Sequence, residues 1–537
     1  MERAFDRRGF VKAAGATAAA VSALGVTATV RAEETASATD SWMPDAWDAE
    51  ADAVIVGYGC AGPVAAIELA SQGFTSLLIE KASKEFAGGD CSVCGGYILT
   101  GGGSADPLTT DGFICSTLNS VDEAYAEKVV PYINETPDYL VGIGVDVDTE
   151  TLPGMAIARA EEGEPYGQAL YRAITAAVES HSDMITVMYE TPGIGLVQNP
   201  VTGEVYGVKA GSEDAPVYLK ANRGVVVASG SYEADREMTN AIHMPGLLFP
   251  TIGSPYNTGD GIKMLMKAGC KTQNFGKCLE YATMAVKQAS DEVGTGLVFP
   301  KSFGSESYIF VNREGKRFMN EESNIQHSKN DSLFQYNYFE GDLHSDITNT
   351  GYPNAPAFIV FDETLRTAGP IAGTNGNGNG WNIHGLYEWS ADNQAEIDAG
   401  WIFKADTLEE LAEKASVSDM WGNPVSIDPA GLAETVAQFN AACEAGDDDA
   451  FGRSFVAPLG SGPYYAAEII PATLYATGGA THDINAQAID WADRPIPRLY
   501  LAGLVGDPYN VHTPGLVGAV AWARIAAEQI AQLEPWE

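Results

Sequence analysis

The sequence predicts an α/β fold whose parallel sheet begins near residue 52. Residues 52–81, DAVIVGYGCAGPVAAIELASQGFTSLLIEK, have the pattern of a strand, a glycine turn, a helix and a second strand that ends in an acid. This alternation is typical of a parallel βαβ unit. At 537 residues the chain is too long for one simple core, so we expect two or three compact units. A hydrophobic content of 45% with 19% charged residues favours a globular enzyme.

The chain is strongly acidic. It has 31 lysine and arginine residues against 72 aspartate and glutamate residues, and its net charge is -41. A field of this sign repels phosphate backbones and anionic lipid headgroups. We therefore expect no binding of nucleic acid.

The first 32 residues resemble a twin-arginine export signal. Arg7 and Arg8 precede Phe10 and Lys12, and an alanine-rich apolar run follows, up to a Val-x-Ala end at residue 32. An amino-terminal membrane anchor is the alternative. No other stretch of the sequence approaches the ~18 consecutive apolar residues of a membrane span. The signal predicts export to an extracytoplasmic location, the periplasm or the cell surface, with membrane association left open.

The glycine turn after the first strand has the G-x-G-x-x-G spacing of a dinucleotide site, in Gly57, Gly59 and Gly62. The first glycine permits the tight turn, the second lets the backbone approach a pyrophosphate, and the third lets the helix pack closely on the strand. The helix N-terminus would face the phosphate charge. Glu80 closes the second strand and can accept a hydrogen bond from a ribose hydroxyl. The motif alone leaves NAD and FAD open.

Further segments narrow this choice by a resemblance. EKASKEFAGGDCSVCGGYILTGGG, SPYNTGDGIKMLMKAGC, YIFVNREGKRFMNEES and AQAIDWADRPIPRLYLAG occur in the order of their counterparts in the flavoprotein family of soluble fumarate reductases, urocanate reductases and 3-ketosteroid dehydrogenases. The resemblance covers about residues 50–535. It implies FAD, bound by a discontinuous Rossmann-like domain with an inserted α+β capping domain. The FAD contacts that it implies are Gly57, Gly59, Cys60, Ala61, Gly62, Glu80, Lys81, Gly88, Gly89, Cys91, Gly95, Gly96, Asp260, Gly479, Gly503 and Gly515.

The resemblance also gives the expected domain order. The expected segments are a signal peptide at 1–32, a linker at 33–50, the FAD-binding domain at 51–288 and 462–537, and the capping, substrate-binding domain at 289–461. Within the capping domain, GPIAGTNGNGNGWNIHG at 369–385 is rich in glycine and asparagine and is expected to lack regular structure. A mobile entry loop and a plain surface loop both stay open.

The last segment, VHTPGLVGAVAWARIAAEQIAQL, predicts a C-terminal helix. Pro514 and Gly515 lie near its start, and Val520, Ile525 and Ile530 follow at helical spacing. In the family, the N-terminus of this helix points at the pyrimidine edge of the flavin. There the positive end of the helix dipole would stabilise the negative charge of the reduced flavin.

The seven cysteines do not have the pattern of a disulfide framework in a chain of this length. The close pair, Cys91 and Cys94, lacks the following histidine of a c-type haem site, because Gly95 comes next. A redox pair and iron–sulfur ligands stay open as alternatives. We favour small residues that line a glycine-rich loop, and we predict no metal site.

The expected substrate depends on where the chain departs from this family. The arginine that is the proton donor of soluble fumarate reductases is replaced by Ile325, and the positions that feed protons to it hold Gly304 and Lys301. A family histidine before the paired glycines is replaced by Tyr475. A dicarboxylate needs bidentate cationic partners to offset the loss of its hydration. We therefore predict a pocket for a mainly neutral molecule.

Three residues are candidate catalysts for such a substrate: Tyr475, His512 and His327. Tyr475 or His512 could polarise a carbonyl and protonate the product. His327 could take the place of the lost arginine if its loop is shifted. Tyr509 and Thr513 offer further neutral donors. The sequence is equally compatible with a purely structural, hydrogen-bonded role for each catalyst candidate.

The sequence thus predicts an exported FAD-dependent oxidoreductase that reduces an activated C=C bond of a small, mainly neutral, enone or steroid-like molecule by hydride transfer from flavin N5. The chain has no C-x-x-C-H haem motif and no second dinucleotide fingerprint, so we expect a separate electron donor, namely a cytochrome, a flavoprotein or a quinol-linked membrane protein. One alternative is a 3-ketosteroid-type dehydrogenase that introduces a C=C bond. Another is a fumarate- or urocanate-like carboxylate reductase, if Arg317 or Arg366 approaches the flavin. A non-catalytic electron carrier would need no capping domain.

Overall fold

Two β-sheets organise the part of the chain that the structure, a computed structural model, describes. That part comprises residues 42–98, 106–117, 119–151, 155–242, 249–275, 279–300, 302–322, 354–373, 384–419, 422–446, 450–454, 456–506 and 515–536. The expected signal peptide lies outside it, as do most of the Gly/Asn-rich segment and the candidate catalysts His327 and His512.

The first sheet is mainly parallel. Its strands are β1 (Ala49–Val56), β2 (Ser76–Ile79), β5 (Ile185–Met188), β6 (Gly193–Gln198), β7 (Val205–Gly211), β8 (Pro216–Val227), β18 (Gln487–Ile489) and β19 (Pro495–Leu501). The hydrogen-bonded order is β18-β19-β8-β1-β2-β5. In addition, β7 pairs with β8, and β6 pairs with β7. The pairs β19 with β8, β8 with β1, β1 with β2 and β2 with β5 are parallel. This confirms the predicted α/β fold.

The second sheet is antiparallel. Its strands are β10 (Leu279–Val286), β11 (Tyr308–Asn312), β12 (Ala357–Asp362), β13 (Phe403–Ala405) and β16 (Tyr464–Ala476). The order is β10-β16-β12-β11, and β13 also pairs with β16. The sheet therefore includes strands on both sides of the expected boundaries at 288 and 461, and these boundaries stay predictions.

Three short antiparallel pairs complete the described strands: β3 (Val147–Asp148) with β4 (Ile157–Ala158), β9 (Thr272–Gln273) with β17 (Gly479–Ala480), and β14 (Val417–Ser418) with β15 (Pro424–Val425).

The described helices are α1 (Ala61–Ser71), α2 (Gly89–Val93), α3 (Thr110–Ser116), α4 (Glu123–Asn134), α5 (Thr136–Gly142), α6 (Tyr166–Ser180), α7 (Arg236–Ile242), α8 (Asp260–Lys267), α9 (Lys287–Val293), α10 (Glu363–Ala368), α11 (Gln394–Asp398), α12 (Leu408–Lys414), α13 (Pro429–Ala445) and α14 (Gly515–Ala531), with a 3₁₀ turn at Gly503–Gly506. None of these helices combines the length and the apolar character needed to cross a bilayer.

The core of the first sheet explains why its central strand is a continuous apolar run. Ala53, Val54 and Ile55 are fully buried because helices cover both faces of the sheet. On one face, α1 and α14 pack against each other in a cluster rich in alanine and valine. Small side chains on both helices permit this close approach, which places the first residue of each helix near the same edge of the sheet.

Candidate active site

The carboxyl ends of four parallel strands of the first sheet meet at a cavity of about 540 Å³. Gly57 follows β1, Glu80 follows β2, Ala228 and Ser229 follow β8, and Gly503 comes shortly after β19; all of them line the cavity. Ligands of open α/β sheets bind at this edge, outside the carboxyl ends of the strands. The cavity also has the size of a cofactor or small-molecule site.

The glycine turn after β1 shapes one wall of the cavity. Gly57 has φ +108°, and a Cβ there would lie 2.5 Å from the carbonyl oxygen of Ala228. A Cβ on Gly62 would lie 1.9 Å from the carbonyl oxygen of Gly57. At Gly59, in contrast, the nearest atom to a Cβ is 3.6 Å away, the carbonyl oxygen of Gly88. The outer two glycines are thus required by packing, and the middle one leaves space that a ligand can use.

Three helices of eight residues or more begin at this cavity. Ala61 of α1, Asp260 of α8 and Gly515 of α14 are the first residues of their helices, and each lines the wall. A helix N-terminus presents unpaired backbone N–H groups and a partial positive charge. The wall is therefore suited to an anionic group such as a pyrophosphate, held by backbone donors.

Acidic and basic side chains are few on the described wall. They are Glu80, Lys81, Asp90 and Asp260, and no arginine or histidine is among the described lining residues. Lys81 Nζ donates to Asp260 Oδ2 at 2.6 Å and to Thr258 Oγ1 at 2.6 Å. The single lysine of this wall is therefore already neutralised by a carboxylate.

Glu80 is held in a defined orientation at the end of β2. Its Oε2 accepts a hydrogen bond from the backbone N–H of Tyr58 at 2.9 Å, and its Oε1 accepts one from the N–H of Ala82 at 2.8 Å. Each carboxylate oxygen has a second lone pair. Glu80 can therefore still accept from a ribose hydroxyl in the cavity.

Tyr475 reaches the same cavity from the second sheet. It is the penultimate residue of β16, it is 9% exposed, and it lines the wall together with Leu474. The structure thus brings the one candidate catalyst that it describes to the cavity of the first sheet. The other two, His512 and His327, lie outside the described residues.

The arginines on which the carboxylate-reductase alternative depends are engaged elsewhere. Arg317 donates to both carboxylate oxygens of Glu321 at 2.7 and 2.6 Å. Arg366 donates to both oxygens of Glu363 at 2.7 and 2.5 Å. Neither arginine lines the cavity.

A match to a known family decides the nature of this site. The family model of the FAD binding domain matches residues 52–514, which is most of the chain. The chain belongs to this family. The open space at Gly59, the helix N-termini and the fixed Glu80 carboxylate fit an adenine dinucleotide with a pyrophosphate, and the cofactor is FAD.

Relatives agree on the chemistry, and solved structures agree on the fold. Digoxin reductase of Eggerthella lenta is 27% identical, over 100% of this chain and 99% of that protein. The 3-oxosteroid 1-dehydrogenase of Mycobacterium tuberculosis is 30% identical, over 60% of this chain and 55% of that protein. The FAD protein described here is an oxidoreductase that acts on C=C bonds.

Two solved structures share its fold. The 3-ketosteroid Δ1-dehydrogenase of Sterolibacterium denitrificans has a TM-score of 0.64 at 18% identity, covering 90% of this chain and 99% of that one. A flavocytochrome c3 fumarate reductase has a TM-score of 0.62 at 19% identity, covering 99% of this chain and 81% of that one.

Most of the expected FAD contacts lie on the cavity wall. Those that line it are Gly57, Gly59, Cys60, Ala61, Glu80, Lys81, Gly89, Cys91, Gly95, Gly96, Asp260, Gly503 and Gly515. Gly62, Gly88 and Gly479 do not line it. A Cβ on Gly88 would meet Ser92 Cβ at 2.7 Å, and one on Gly479 would meet the Val505 carbonyl oxygen at 2.4 Å, so these positions support the wall by close packing.

Two thiols of the FAD cavity, those of Cys91 and Cys94, are poor nucleophiles. Cys60, Cys91 and Cys94 line the wall, and each is a free cysteine. A hydrogen bond with Cys60, together with burial, raises the pKa of Cys91, and burial raises the pKa of Cys94 to about 12. Protonated thiols neither attack nor ligate metals readily. No group of three or more His, Cys, Asp or Glu side chains in the described residues has a metal-binding arrangement.

Sequence reasoning missed several wall residues. Ser229 follows β8, Ser254 and Asn257 precede α8, and Asp90 lies in α2; all four line the FAD cavity. For Ser229 a signal was present, because the apolar run GVVV followed by ASGS is typical of a buried parallel strand with small residues at its carboxyl end. For the others, only the tertiary structure shows the location.

Proposed function

We propose that this chain is an exported FAD-dependent reductase that saturates an activated C=C bond in a small, mainly neutral, enone or steroid-like molecule. The observation that carries the proposal is the lack of an unpaired cation on the described wall, where Lys81 is the only basic side chain and pairs with Asp260. A dicarboxylate in this cavity would lose its hydration without gaining a bidentate cation. The similarity to a digoxin reductase along the whole chain supports the reductive direction.

Several residues of the chain have separate roles in such a reaction. FAD held in this cavity would, in its reduced form, provide the hydride for the electron-poor carbon. Tyr475 lines the wall and would donate its hydroxyl proton to the adjacent carbon. Leu474, Leu504 and Leu516 give the wall an apolar surface that excludes water. The N-terminus of α14 would stabilise the negative charge of the reduced flavin.

Electrons for this reaction come from a separate donor, which we propose to be a cytochrome, a flavoprotein or a quinol-linked membrane protein. The sequence supports this because it has neither a haem motif nor a second dinucleotide fingerprint. Export by the signal at 1–32 would bring the loaded enzyme to an extracytoplasmic donor.

A ketosteroid-type dehydrogenase is the second candidate, favoured by the 30% identity to a 3-oxosteroid 1-dehydrogenase. It would use the same groups in the opposite direction: the deprotonated Tyr475 oxygen would accept a proton from the substrate, and oxidised FAD would provide the acceptor for the hydride.

The test is anaerobic reoxidation of the reduced holoenzyme. FAD is reduced with a low-potential dye, and its absorbance is followed after addition of a cyclic enone, fumarate or urocanate. We expect rapid reoxidation by the enone alone. Removal of the proton donor in Tyr475→Phe should slow this step by roughly 10²- to 10⁴-fold, the usual contribution of general acid catalysis.

Tyr465→Phe is the matched control. Tyr465 lies on the same strand, but its hydroxyl donates to Glu363 and it does not line the cavity, so the rate of reoxidation should not change. Rapid reoxidation by fumarate or urocanate would refute the neutral-substrate proposal. Rapid FAD reduction by a saturated ketosteroid, with slow reoxidation by every enone, would favour the dehydrogenase.

A further inference from the structure

A buried polar cluster lies directly behind the wall of the FAD cavity. Asp90 of α2 lines the wall, and Glu233, from the segment after β8, is 3% exposed behind it. Glu233 Oε2 accepts from Ser231 Oγ at 2.5 Å and from the backbone N–H of Ala476 at 3.3 Å, and its Oε1 accepts from Asn257 Nδ2 at 2.6 Å. Two carboxyl groups of this cluster therefore lie close to an anionic cofactor.

Hydrogen bonding distinguishes the two carboxyl groups. Asp90 Oδ1 accepts one bond, from the backbone N–H of Ser254 at 2.8 Å. Asp90 Oδ2 is shielded from solvent and has no hydrogen-bond partner among the described residues. A charged oxygen in this position would lose its hydration without compensation, whereas a protonated one would not. Three donors stabilise the negative charge of Glu233, so the proton of highest affinity belongs on Asp90.

Electrostatics agree with this assignment. Burial, and next the negative charge of Glu233, raises the pKa of Asp90 well above its usual range. Burial raises the pKa of Glu233 to about 7. The thiols of Cys91 and Cys94 also face Asp90, but their own pKa values are raised and they stay neutral. Two carboxylates whose charges repel each other in this way do not ionise independently, and the pair titrates as a unit.

We propose that Asp90 and Glu233 form a proton-sharing carboxyl pair that makes retention of FAD depend on pH. While the pair holds a proton, it carries at most one negative charge. When the last proton leaves, both charges repel the pyrophosphate of the cofactor. Binding linkage is reciprocal, so bound FAD in turn raises the proton affinity of the pair. The inference rests on FAD binding alone and does not depend on the substrate.

The test is equilibrium dialysis of the holoenzyme at fixed ionic strength. Because both pKa values are raised, the affinity for FAD is highest at acid pH and falls as the pH rises past neutrality. We expect the dissociation constant of FAD to rise at least about tenfold between about pH 6 and about pH 9 in the native chain. In Asp90→Asn or Glu233→Gln only one ionisable group remains, and the rise should shrink to less than about threefold.

Glu468→Gln is the control for loss of a buried carboxyl group away from the cavity. Glu468 is 4% exposed, burial raises its pKa, and it pairs with Lys287. The Glu468→Gln variant should therefore show the same pH dependence of FAD binding as the native chain. A flat native profile, or native-like profiles in both Asp90→Asn and Glu233→Gln, would overturn the proposal.

Infrared spectroscopy gives a readout that is independent of binding and activity. At neutral pH the native chain should show the C=O stretch of a buried protonated carboxyl group that Asp90→Asn lacks. Persistence of the complete band in Asp90→Asn would show that the proton is not on Asp90, and the pair as described would be wrong.

Discussion

Glu80 shows how much a single residue of the FAD site depends on its backbone neighbours. Both carboxylate oxygens accept from backbone N–H groups, those of Tyr58 and Ala82. An amide in this position would turn one acceptor into a donor that faces another donor. The negative charge and its full set of acceptors are therefore required for the conformation of this corner as well as for the ribose.

We predict that Glu80→Gln weakens FAD binding roughly tenfold, because it loses one charged hydrogen bond and leaves one backbone donor unpaired. Quenching of flavin fluorescence on titration with the apoprotein measures the change. Glu213→Gln is the control, since Glu213 pairs with Lys209 on the surface, away from the cavity. Equal affinity of the Glu80 variant and the native chain would count against its role as ribose acceptor.

For single residues, the sequence predicted those whose role depends on neighbours within one βαβ unit. It missed those whose role depends on residues from distant parts of the chain. Gly57, Gly59 and Glu80 could be assigned because the motif places them within one βαβ unit. The raised pKa of Asp90 could not, because its causes, burial first and then the charge of Glu233, arise only when distant parts of the chain come together in the folded state.

Among the elements, helix α1 has little tolerance for added volume at Gly62. A Cβ on Gly62 would lie 1.9 Å from the Gly57 carbonyl oxygen and 3.3 Å from Leu78 Cδ1. Backbone cannot yield as a flexible side chain does, so the helix must move away from the strand. Its N-terminus would move with it, out of the FAD cavity.

We predict that Gly62→Ala lowers the free energy of unfolding by about 1–3 kcal/mol, the usual cost of overpacking, and weakens FAD binding. Urea denaturation of the holoenzyme and the apoprotein separates the two effects. Gly142→Ala in α5 has nothing within 4 Å of the new methyl group and should stabilise the chain by up to about 1 kcal/mol. The same loss in both variants would indicate a general effect of alanine.

Elements with a strong local pattern were predictable. The unit β1-α1-β2 and the C-terminal helix α14 both follow their periodicity. The second sheet has no such signal, because β16 pairs with strands from residues 279–286, 357–362 and 403–405, and no local pattern specifies these pairings. Tyr475 was therefore identified from a family resemblance, and its location in the wall became clear only from the structure.

For the whole molecule, the net charge of -41 is the dominant electrostatic feature. Self-repulsion of this size opposes the compact state, and salt screens it. The ion pairs of the described residues are mostly partly exposed, and such pairs contribute little to stability. The stability lost when salt screens these pairs is therefore smaller than the stability gained when salt screens the net repulsion.

We predict that added sodium chloride stabilises the chain, with a rise in the free energy of unfolding of about 1 kcal/mol or more between roughly 0.01 and 0.15 M, as the Debye length falls from about 30 to about 8 Å. Urea denaturation measures it, since urea is uncharged. Because screening is independent of the cation, potassium chloride should give the same rise. A fall in stability with either salt would mean that attractive pairs outweigh the net repulsion.

Strand β16 has a consequence for the exchange of parts between related enzymes. It is the central partner in the second sheet, and its last residues form part of the wall of the FAD cavity. If a chimaera changed from one parent sequence to the other within 464–476, part of β16 would come from one enzyme and the cavity wall at its end from the other. The strand pairing and the wall would then no longer match. Chimaeras that trade substrate preference should therefore carry the strand intact, together with its hydrogen-bonded neighbours, and recombination in evolution is under the same constraint.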